Sequence, residues 1–294
     1  VAGYRVRHHR RAARKIHTHR SRGKAQLSKT NPAMTSYETL TLEQKDQVAT
    51  ITLTRPEKRN AISAQMIREL LGALDEAEAS ATRVVIMTGS GKAFCAGMDL
   101  DGLRAIAGQS LEENIADSSA MAKMFCRIYQ FPKPMIAAVN GAAIAGGCGI
   151  ATLADFTLAA PEAKFGYSEV RIGFIPALVS IFLRRQIAEK HANDLLLTGR
   201  IIDSAEALRI GLITEVVATE KLLGRAQEIA AQLMAASPTS ISRTKRLLRR
   251  FDEAAIRTEI ELATSENAEI RATADFREGV ASFLEKREPK WSGK

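Results

Sequence analysis

The stretch VNGAAIAGGCGIATLAD, from Val139 to Asp155, follows an apolar run, Pro134–Val139, that is typical of a buried strand. It holds four glycines and five alanines before its first charged residue. Small residues directly after a strand either let a helix and a strand pack closely or let a ligand reach the backbone. A helix that begins at Gly146–Gly147 would point unpaired N–H groups outward at the positive end of its dipole. The spacing alone leaves both interpretations open, close packing and a turn that binds an oxyanion.

A second loop of small residues, Ala93–Asp99, is the natural source of another free N–H on the far side of such a site. Two preorganised N–H donors form an oxyanion hole, and losing one donor typically lowers the rate by about 10²–10³. The pair of loops therefore indicates chemistry in which negative charge develops on an oxygen.

Length and composition favour a globular protein with a large core. The chain has 294 residues, of which 46% are hydrophobic and 26% charged, and this length predicts one or two domains. There is no apolar run of about 18 residues, so we expect no membrane span. Three scattered cysteines suit neither a disulfide framework nor a metal site, and they favour a reducing, cytoplasmic location.

The net charge of +9 comes from residues 1–33, which hold ten Lys and Arg side chains and no acid. The remaining 32 basic side chains are balanced by 33 acidic ones. We expect this basic extension to be disordered, because it has little to bury. Three interpretations of this extension remain open. It is an added or upstream-translated segment before a natural start at Met34, a transit segment, or an arm that binds nucleic acid. Nucleic-acid binding is expected only through this extension.

Strands and helices alternate after the extension. Gln47–Arg55 alternates apolar and polar residues and is predicted to be a strand, and Ser63 is placed to cap a helix that runs to about Ala79. Arg83–Gly91 is predicted to be a buried strand that ends in a turn. This order predicts an α/β fold with a largely parallel sheet, followed by helices.

The next part of the chain is predicted to be less regular. Residues 102–116 are rich in Gly, Ala and polar side chains, and we expect them to be mobile. A helix is predicted over Asp117–Tyr129, ending before two prolines. The domain boundaries that follow are a basic extension at 1–33, a β/α core at 34–205 and a helical region at 206–294.

Five separated segments resemble, in order, the enoyl-CoA hydratase/isomerase, or crotonase, family over about residues 36–291. The resemblance implies a spiral of ββα units with a C-terminal helical region for trimerisation, in a homotrimer or a dimer of trimers. It also implies an acyl-CoA thioester substrate, of which coenzyme A is a part, with no separate cofactor, no metal and no membrane partner. The segments are RPEKRNAIS (Arg55–Ser63), GKAFCAGMDL (Gly91–Leu100), IAAVNGAAIAGGCGIATLADF (Ile136–Phe156), KFGYSEVRIGFIP (Lys164–Pro176) and LLLTGRIIDSAEALRIGLITEVV (Leu195–Val217).

The same resemblance assigns roles to particular residues. The backbone N–H groups of Met98 and Gly146 would hold the thioester oxygen. Asp99 is placed to bind substrate or, alternatively, to cap the following helix, and Arg59 is either a phosphate ligand or a solvated cation. The other positions implied to contact the substrate are Ala61, Ala96, Leu100 and Gly147, with Lys92 and Lys286 as further candidates.

The acid–base residues decide the reaction. Well-studied hydratases of the family use two glutamates, and here the second is Glu169 while the first position is Gly149. Burial among apolar neighbours would raise the pKa of Glu169 toward a useful range. Ser168–Ala192 resembles bacterial methylglutaconyl-CoA-hydratase-like members, which favours hydration. The alternatives are a Δ3,Δ2-enoyl-CoA isomerase and a catalytically silent acyl-CoA-binding protein.

Overall fold

Eleven strands form two sheets in the computed structural model, which describes residues 33–106 and 108–294. The larger sheet has seven strands in the order β1-β2-β3-β4-β6-β8-β11, and the smaller has four in the order β10-β9-β7-β5. The strands are β1 (Ala33–Ser36), β2 (Leu40–Lys45), β3 (Val48–Leu53), β4 (Val84–Gly89), β5 (Ala93–Cys95), β6 (Met135–Val139), β7 (Ala142–Ile144), β8 (Phe156–Ala159), β9 (Lys164–Gly166), β10 (Ile201–Asp203) and β11 (Glu215–Val216).

Eleven α-helices connect and follow these strands in the described part of the chain. They are α1 (Ala64–Ala79), α2 (Leu100–Ile106), α3 (Leu111–Tyr129), α4 (Gly146–Thr152), α5 (Ala177–Gln186), α6 (Glu189–Thr198), α7 (Ser204–Arg209), α8 (Leu222–Ala235), α9 (Pro238–Arg250), α10 (Glu253–Glu269) and α11 (Ala274–Glu285).

The centre of the larger sheet is parallel. Strands β3, β4, β6, β8 and β11 pair in parallel, and β1 and β2 add an antiparallel edge. The predicted parallel α/β architecture is therefore confirmed. The predicted strand Gln47–Arg55 is also present but shorter, because Asp46 and Gln47 both have positive φ and form the turn of a β2–β3 hairpin.

Helix α1 begins where the sequence predicts. The Ser63 Oγ accepts a hydrogen bond from the Met66 N–H at 3.2 Å, which satisfies one of the donors at the helix start. Apolar side chains such as Leu70 and Leu74 lie on the buried face of the helix. Both predicted ends of this helix are confirmed.

Helices occupy most of the described part of residues 102–116, the segment predicted to be mobile, and its mobility stays a prediction. Helix α2 covers residues 102–106, and α3 begins at Leu111, six residues before the predicted start at Asp117. The cause is a reciprocal cap: Ser110 Oγ accepts from the Glu113 N–H, and the Glu113 carboxylate accepts from the Ser110 N–H. Residues 111–113 at the start of α3 are exposed and two of the three are acidic, so the composition resembled that of a loop.

The C-terminal helices pack against the β/α core. Helix α8 covers one face of the larger sheet through an apolar cluster that includes Leu222, Ile229 and Ala230. Helix α10 lies along α3 and α5. The larger sheet takes its last strand, β11, from beyond residue 205, so the core draws on the start of the C-terminal region.

The predictions for the basic extension, disorder and nucleic-acid binding included, lie outside the described residues apart from its last residue, Ala33. Within residues 33–106 and 108–294, none of the helices has the length and apolar character needed to cross a membrane.

Candidate functional site

A cavity of about 590 Å³ is lined by loops of the β/α core together with side chains from α3, α5 and the C-terminal helices. The predicted site residues converge on it from segments more than 100 positions apart in sequence. All of them except Gly147 line the cavity: Arg59, Ala61, Ala96, Met98, Asp99, Leu100, Gly146 and Glu169. Of the two further lysine candidates, Lys286 lines the cavity and Lys92 does not.

Gly147 has a packing role. A Cβ placed on it would lie 2.1 Å from the carbonyl oxygen of Cys95, on strand β5. Only glycine lets the start of α4 approach that strand so closely. For this residue the structure favours the close-packing interpretation.

The loop that carries Met98 lies directly against the segment that precedes Gly146. A Cβ placed on Gly97 would be 3.1 Å from the Ile144 carbonyl oxygen and 3.2 Å from the Ala145 Cβ. Ala145 itself has a φ of 51°, a conformation that L-residues rarely adopt, at the turn into α4. The fold therefore brings the two small-residue loops together, as the sequence predicted.

The amides of Met98 and Gly146 are free. The Ile62 N–H donates to the Gly97 carbonyl at 2.7 Å and the Asp99 N–H to the Ile62 carbonyl at 3.0 Å, which hold the chain on both sides of Met98. Within the part of the chain that the structure describes, neither the Met98 nor the Gly146 N–H donates to a protein acceptor. Both donors are therefore available to a ligand oxygen.

Glu169 is the buried carboxyl of this cavity. Glu169 is the first residue of a short 3-10 helix, Glu169–Ile172, and it is 9% exposed. Its Oε2 is buried without a hydrogen-bond partner among the described residues. Burial raises the pKa of Glu169 from an ordinary value near 4.5 to about 7, because the charged form loses its hydration. A carboxyl with that pKa exchanges protons readily at neutral pH.

Gly149, the position to which the resemblance assigns a second glutamate, is enclosed by apolar side chains. A Cβ placed on Gly149 would lie 2.7 Å from the Val179 Cγ1 and 3.2 Å from the Phe125 Cε1. A carboxylate at this position would require these side chains to move. Hydrophobic side chains therefore occupy the space that an acidic side chain at position 149 would need.

Asp99 is committed to other partners. Its Oδ1 accepts from the Gly102 N–H at 2.8 Å and so caps α2, as the sequence analysis allowed. Its Oδ2 lies 3.2 Å from the Arg55 Nη2 in an ion pair. Among the described residues that line the cavity, Glu169 is thus the buried carboxyl that is left without a partner.

Comparison with known proteins agrees with this geometry. Residues 43–294 match the profile of the family described as enoyl-CoA hydratase/isomerase. The chain is 43% identical to a Thermus thermophilus protein whose name places it among the enoyl-CoA hydratases, over 84% of this chain and 98% of the relative. It is 34% identical to the crotonyl-CoA hydratase of Syntrophomonas wolfei, over 88% of this chain and all of that protein.

A solved structure shows the same fold. The enoyl-CoA hydratase/isomerase of Pseudoalteromonas atlantica superposes with a TM-score of 0.78 at 30% identity, covering 87% of this chain and 100% of that chain. The chain belongs to the enoyl-CoA hydratase/isomerase family. The crotonase-like fold that the motifs predicted is therefore confirmed, and the protein is an enzyme whose named relatives are hydratases.

The mouth of this hydratase-family cavity is cationic. Four exposed basic side chains line it, Lys58, Arg59, Arg104 and Lys286, together with one exposed carboxylate, Glu57. Lys58 and Arg104 share Asp101, at 3.5 and 3.3 Å. Arg59 and Lys286 have no carboxylate within ion-pair distance among the described residues, so they can receive a charged ligand.

Asn60 shapes the loop that presents Arg59. Its side chain is fully buried: Oδ1 accepts from the Arg55 N–H, and Nδ2 donates to the carbonyl oxygens of Ser90 and Ala93. Arg59 and Asn60 both have positive φ, which turns the chain back toward the cavity. The buried amide therefore fixes a strained turn.

Sequence reasoning missed one group of cavity residues. Asn267, in the last turn of α10, and Arg271, in the 3-10 turn Ile270–Ala272 that follows it, line the cavity although both are nearly fully buried. No motif marks them, because they lie about 100 positions after Glu169, Asn267 in a helix with a weak apolar stripe and Arg271 just beyond that helix. The signal becomes visible only once the structure shows that Arg271 is buried, because a buried basic residue needs partners.

Proposed function

We propose that this protein hydrates 2-enoyl-CoA thioesters, with Glu169 as the single acid/base. The observation that carries the proposal is the Glu169 carboxyl, buried and unpartnered in a cavity beside two free backbone amides. A pKa raised to about 7 suits it to gain and lose a proton near neutral pH. The relatives named as hydratases support hydration over isomerisation.

The thioester oxygen is held by the Met98 and Gly146 N–H groups. When a nucleophile adds to the β-carbon, the electron pair of the double bond moves toward the thioester and negative charge develops on this oxygen. Fixed amide donors stabilise that enolate without having to reorganise. The catalytic group at position 98 is an amide, so a methionine side chain is free to line the cavity beside it.

One carboxylate can carry both proton transfers. Ionised Glu169 takes a proton from water, whose oxygen bonds to the β-carbon, and the enolate forms. Protonated Glu169 then gives that proton to the α-carbon and returns to its ionised form, so water has been added with atoms and charge balanced. The apolar wall at Gly149, formed by Val179 and Phe125, supports a route that uses no second acid.

The cationic mouth binds the coenzyme A part of the substrate. Arg59 presents a planar fork of donors that suits a phosphate, and Lys286 adds a second charge. Ala61, Ala96 and Leu100 line the wall along which the pantetheine arm would lie. Gly147 and Asp99 act indirectly, through packing and helix capping.

The test compares Glu169→Gln with the wild type on crotonyl-CoA, followed by the loss of conjugated-thioester absorbance. Gln keeps the shape of the side chain and cannot transfer the proton, so kcat is expected to fall by at least about 10²-fold while acyl-CoA binding is retained. Glu189→Gln, at the exposed start of α6, is the matched control and should be fully active. Retained activity in Glu169→Gln contradicts the assignment.

A Δ3,Δ2-isomerase is the alternative that the single carboxylate itself favours, because one group can remove a proton from C2 and return it to C4, two carbons away. Incubation with a 3-enoyl-CoA separates the two reactions. Appearance of conjugated-thioester absorbance from the 3-enoyl-CoA, without hydration of crotonyl-CoA, would replace hydration by isomerisation. Binding of both thioesters with turnover of neither would identify a silent acyl-CoA-binding protein.

A further inference from the structure

The loop that carries the Met98 amide has little backbone support of its own. Ile62 and Met98 pair in an isolated parallel bridge, outside the eleven strands. Two backbone bonds form it, from the Ile62 N–H to the Gly97 carbonyl and from the Asp99 N–H to the Ile62 carbonyl. The Met98 N–H cannot help to hold the loop, because it must stay free for the thioester oxygen. Contacts other than a strand ladder must therefore fix the direction of this amide.

The second oxyanion donor is held more firmly. Gly146 is the first residue of α4, in which the Gly149 N–H donates to the Ala145 carbonyl. The Ala145 N–H donates to the Gly166 carbonyl, at the end of β9, at 2.7 Å. Helix and sheet thus hold Gly146 from both sides, whereas Met98 lies in a loop between β5 and α2. The Met98 amide is the donor whose position depends more on side-chain contacts.

Arg55 connects the two segments that form the bridge. Its Nη1 donates to the Ala61 carbonyl at 2.7 Å, and its Nη2 donates to the Asp99 Oδ2 at 3.2 Å. Ala61 precedes Ile62 and Asp99 follows Met98, so the guanidinium joins one segment to the other. The Arg55 side chain is 17% exposed and that of Asp99 is 9% exposed, so solvent screens this ion pair only weakly.

The turn that follows Arg55 holds this residue in place. Its N–H donates to the Asn60 Oδ1 at 2.8 Å, and its carbonyl accepts from the N–H groups of Lys58 and Asn60. The buried Asn60 amide is bonded in turn to the carbonyls of Ser90 and Ala93. Arg55 is not among the described residues that line the cavity, so it acts on the reaction only through other residues.

We propose, on the basis of the proposed function, that Arg55 is a positioning residue that directs the Met98 N–H toward the thioester oxygen. A planar guanidinium binds a carbonyl and a carboxylate at the same time in a fixed geometry. Without Arg55, Asp99 loses its partner on the opposite segment, and the bridge beside Met98 is held by its two backbone bonds alone. A misplacement of about 1 Å at a catalytic group can lower the rate by about 10²-fold.

The first experiment measures how strongly the bound thioester carbonyl is polarised. Butyryl-CoA with an isotope label in this carbonyl is bound to each protein, and infrared difference spectroscopy records the carbonyl stretch. Hydrogen bonds from two aligned amides lower this frequency below its value in water. In Arg55→Met we expect at least about half of the lowering to be lost, because one of the two donors is misaligned. A lowering equal to that of the wild type would overturn the proposal.

Kinetics on crotonyl-CoA give an independent measure. Arg55→Met should lower kcat by about 10- to 100-fold while KM stays within about threefold of the wild type, because the enolate needs the donor more than the ground state does. A rise in KM with kcat unchanged would assign Arg55 to substrate binding and contradict the positioning role.

Arg185→Met is the matched control. Arg185 also binds one carbonyl and one carboxylate, those of Ile181 and Glu259, and its side chain is 21% exposed. This ion pair joins α5 to α10, so its loss should lower stability in urea and leave the carbonyl stretch and kcat unchanged. A change of either signal in Arg185→Met would show that both report general destabilisation, which contradicts the assignment.

Arg55→Lys keeps the test decisive if Arg55→Met does not fold. The lysine ammonium retains the charge but is a compact group that binds the Ala61 carbonyl or the Asp99 carboxylate, one at a time. We expect a smaller lowering of the carbonyl stretch than in the wild type. A wild-type stretch together with a wild-type kcat in Arg55→Lys would contradict the need for a group that binds both segments.

The infrared measurement separates the role of Arg55 from the proposed hydration, because butyryl-CoA has no double bond to hydrate. A lowering that depends on Arg55, without hydration of crotonyl-CoA, would reject the reaction and keep the positioning role. Hydration with a lowering that is independent of Arg55 would do the reverse. No lowering in the wild type would overturn both the oxyanion hole and the role of Arg55.

Discussion

Glu169 is held with its carboxyl in the cavity by the turn that follows it. Gly173 has a φ of 66° and a Cβ there would lie 2.4 Å from the Asp275 carbonyl oxygen, so this turn packs tightly against the start of α11. The Gly173 N–H and the Phe174 N–H lie within the same short turn, and the latter donates to the Glu169 carbonyl at 3.1 Å. The backbone is thus well bonded while the side-chain Oε2 is left without a partner.

The first prediction concerns pH and catalysis. If Glu169 carries both proton transfers, it must start ionised for hydration and for dehydration alike. We therefore expect kcat/KM in both directions to fall about tenfold per pH unit below about 7, measured with a 2-enoyl-CoA and the matching 3-hydroxyacyl-CoA. A dehydration rate that rises as the pH falls would show that a second, protonated group donates to the leaving water.

The second prediction concerns pH and stability. The pKa of Glu169 is about 7 when folded and near 4.5 when unfolded, so between these values the folded chain holds a proton that the unfolded chain releases. The free energy of unfolding therefore falls as the pH rises from 4.5 to 7, by about 3 kcal/mol in all. We expect Glu169→Gln to exceed the wild type in stability at pH 8 and to match it near pH 4.

Urea unfolding at the two pH values measures this difference. Glu189→Gln, whose carboxyl is exposed, should show no such dependence. A stability gain in Glu169→Gln that is equal at both pH values would contradict the linkage to ionisation.

At the scale of the element, three glycines of α4 serve different purposes. Gly146 starts the helix beside the Phe125 ring and leaves its N–H free, and Gly147 allows contact with Cys95. Gly149 makes room for Val179. The small-residue turn is therefore both a packing surface and a binding surface, which the spacing alone left open.

The third prediction tests the packing at Gly149. Gly149→Ala places a Cβ 2.7 Å from the Val179 Cγ1, in a rigid side chain, and should lower the free energy of unfolding by about 1–3 kcal/mol. Gly224→Ala, in α8 with nothing within 4 Å, is the matched control and should be neutral or stabilising by up to about 1 kcal/mol.

The double variant with Val179→Ala locates the cause. Because the smaller side chain removes the clash, the cost of Gly149→Ala should shrink in the Val179→Ala background. Additive costs, measured by chemical denaturation, would show that the two side chains do not compete for space.

At the scale of the molecule, Asp155 joins the C-terminal helices to the larger sheet. Its Oδ2 accepts from the Met135 N–H at 2.8 Å and from the Lys245 Nζ at 2.6 Å, and its Oδ1 accepts from the Arg249 Nη2 at 3.0 Å. Lys245 is 8% exposed, and burial lowers its pKa while Asp155 opposes the shift. One carboxylate thus links the start of β6 to α9.

The fourth prediction uses the asymmetry of this group. Asp155→Ala leaves the Lys245 charge buried without a carboxylate and should cost about 3–5 kcal/mol of stability. Lys245→Met leaves Asp155 bonded to Arg249 and to the Met135 N–H, so its cost should be about 1 kcal/mol or less. Similar losses in the two variants, measured by urea unfolding, would contradict this account.

The homotrimer or dimer of trimers and the cytoplasmic location stay predictions.

Local features of the chain were predictable where a short segment carries its own signal. Ser63 marks the start of α1, and the alternation of strands and helices predicts the parallel sheet. The reciprocal cap at Ser110 was missed, although its signal is local, because a polar first turn outweighed it. The hairpin before β3 was missed because Asp46 and Gln47 form its turn without a glycine.

The sequence by itself determined the family, the α/β architecture and the presence of Glu169 together with a glycine at position 149, because these depend on residue identity and local spacing. Only the tertiary structure decided that the Glu169 carboxyl is buried without a partner, that Val179 and Phe125 fill the wall at Gly149, and that Arg271 reaches the cavity. Burial, a shifted pKa and contact between distant segments arise from the packing of the whole chain, which no short stretch encodes.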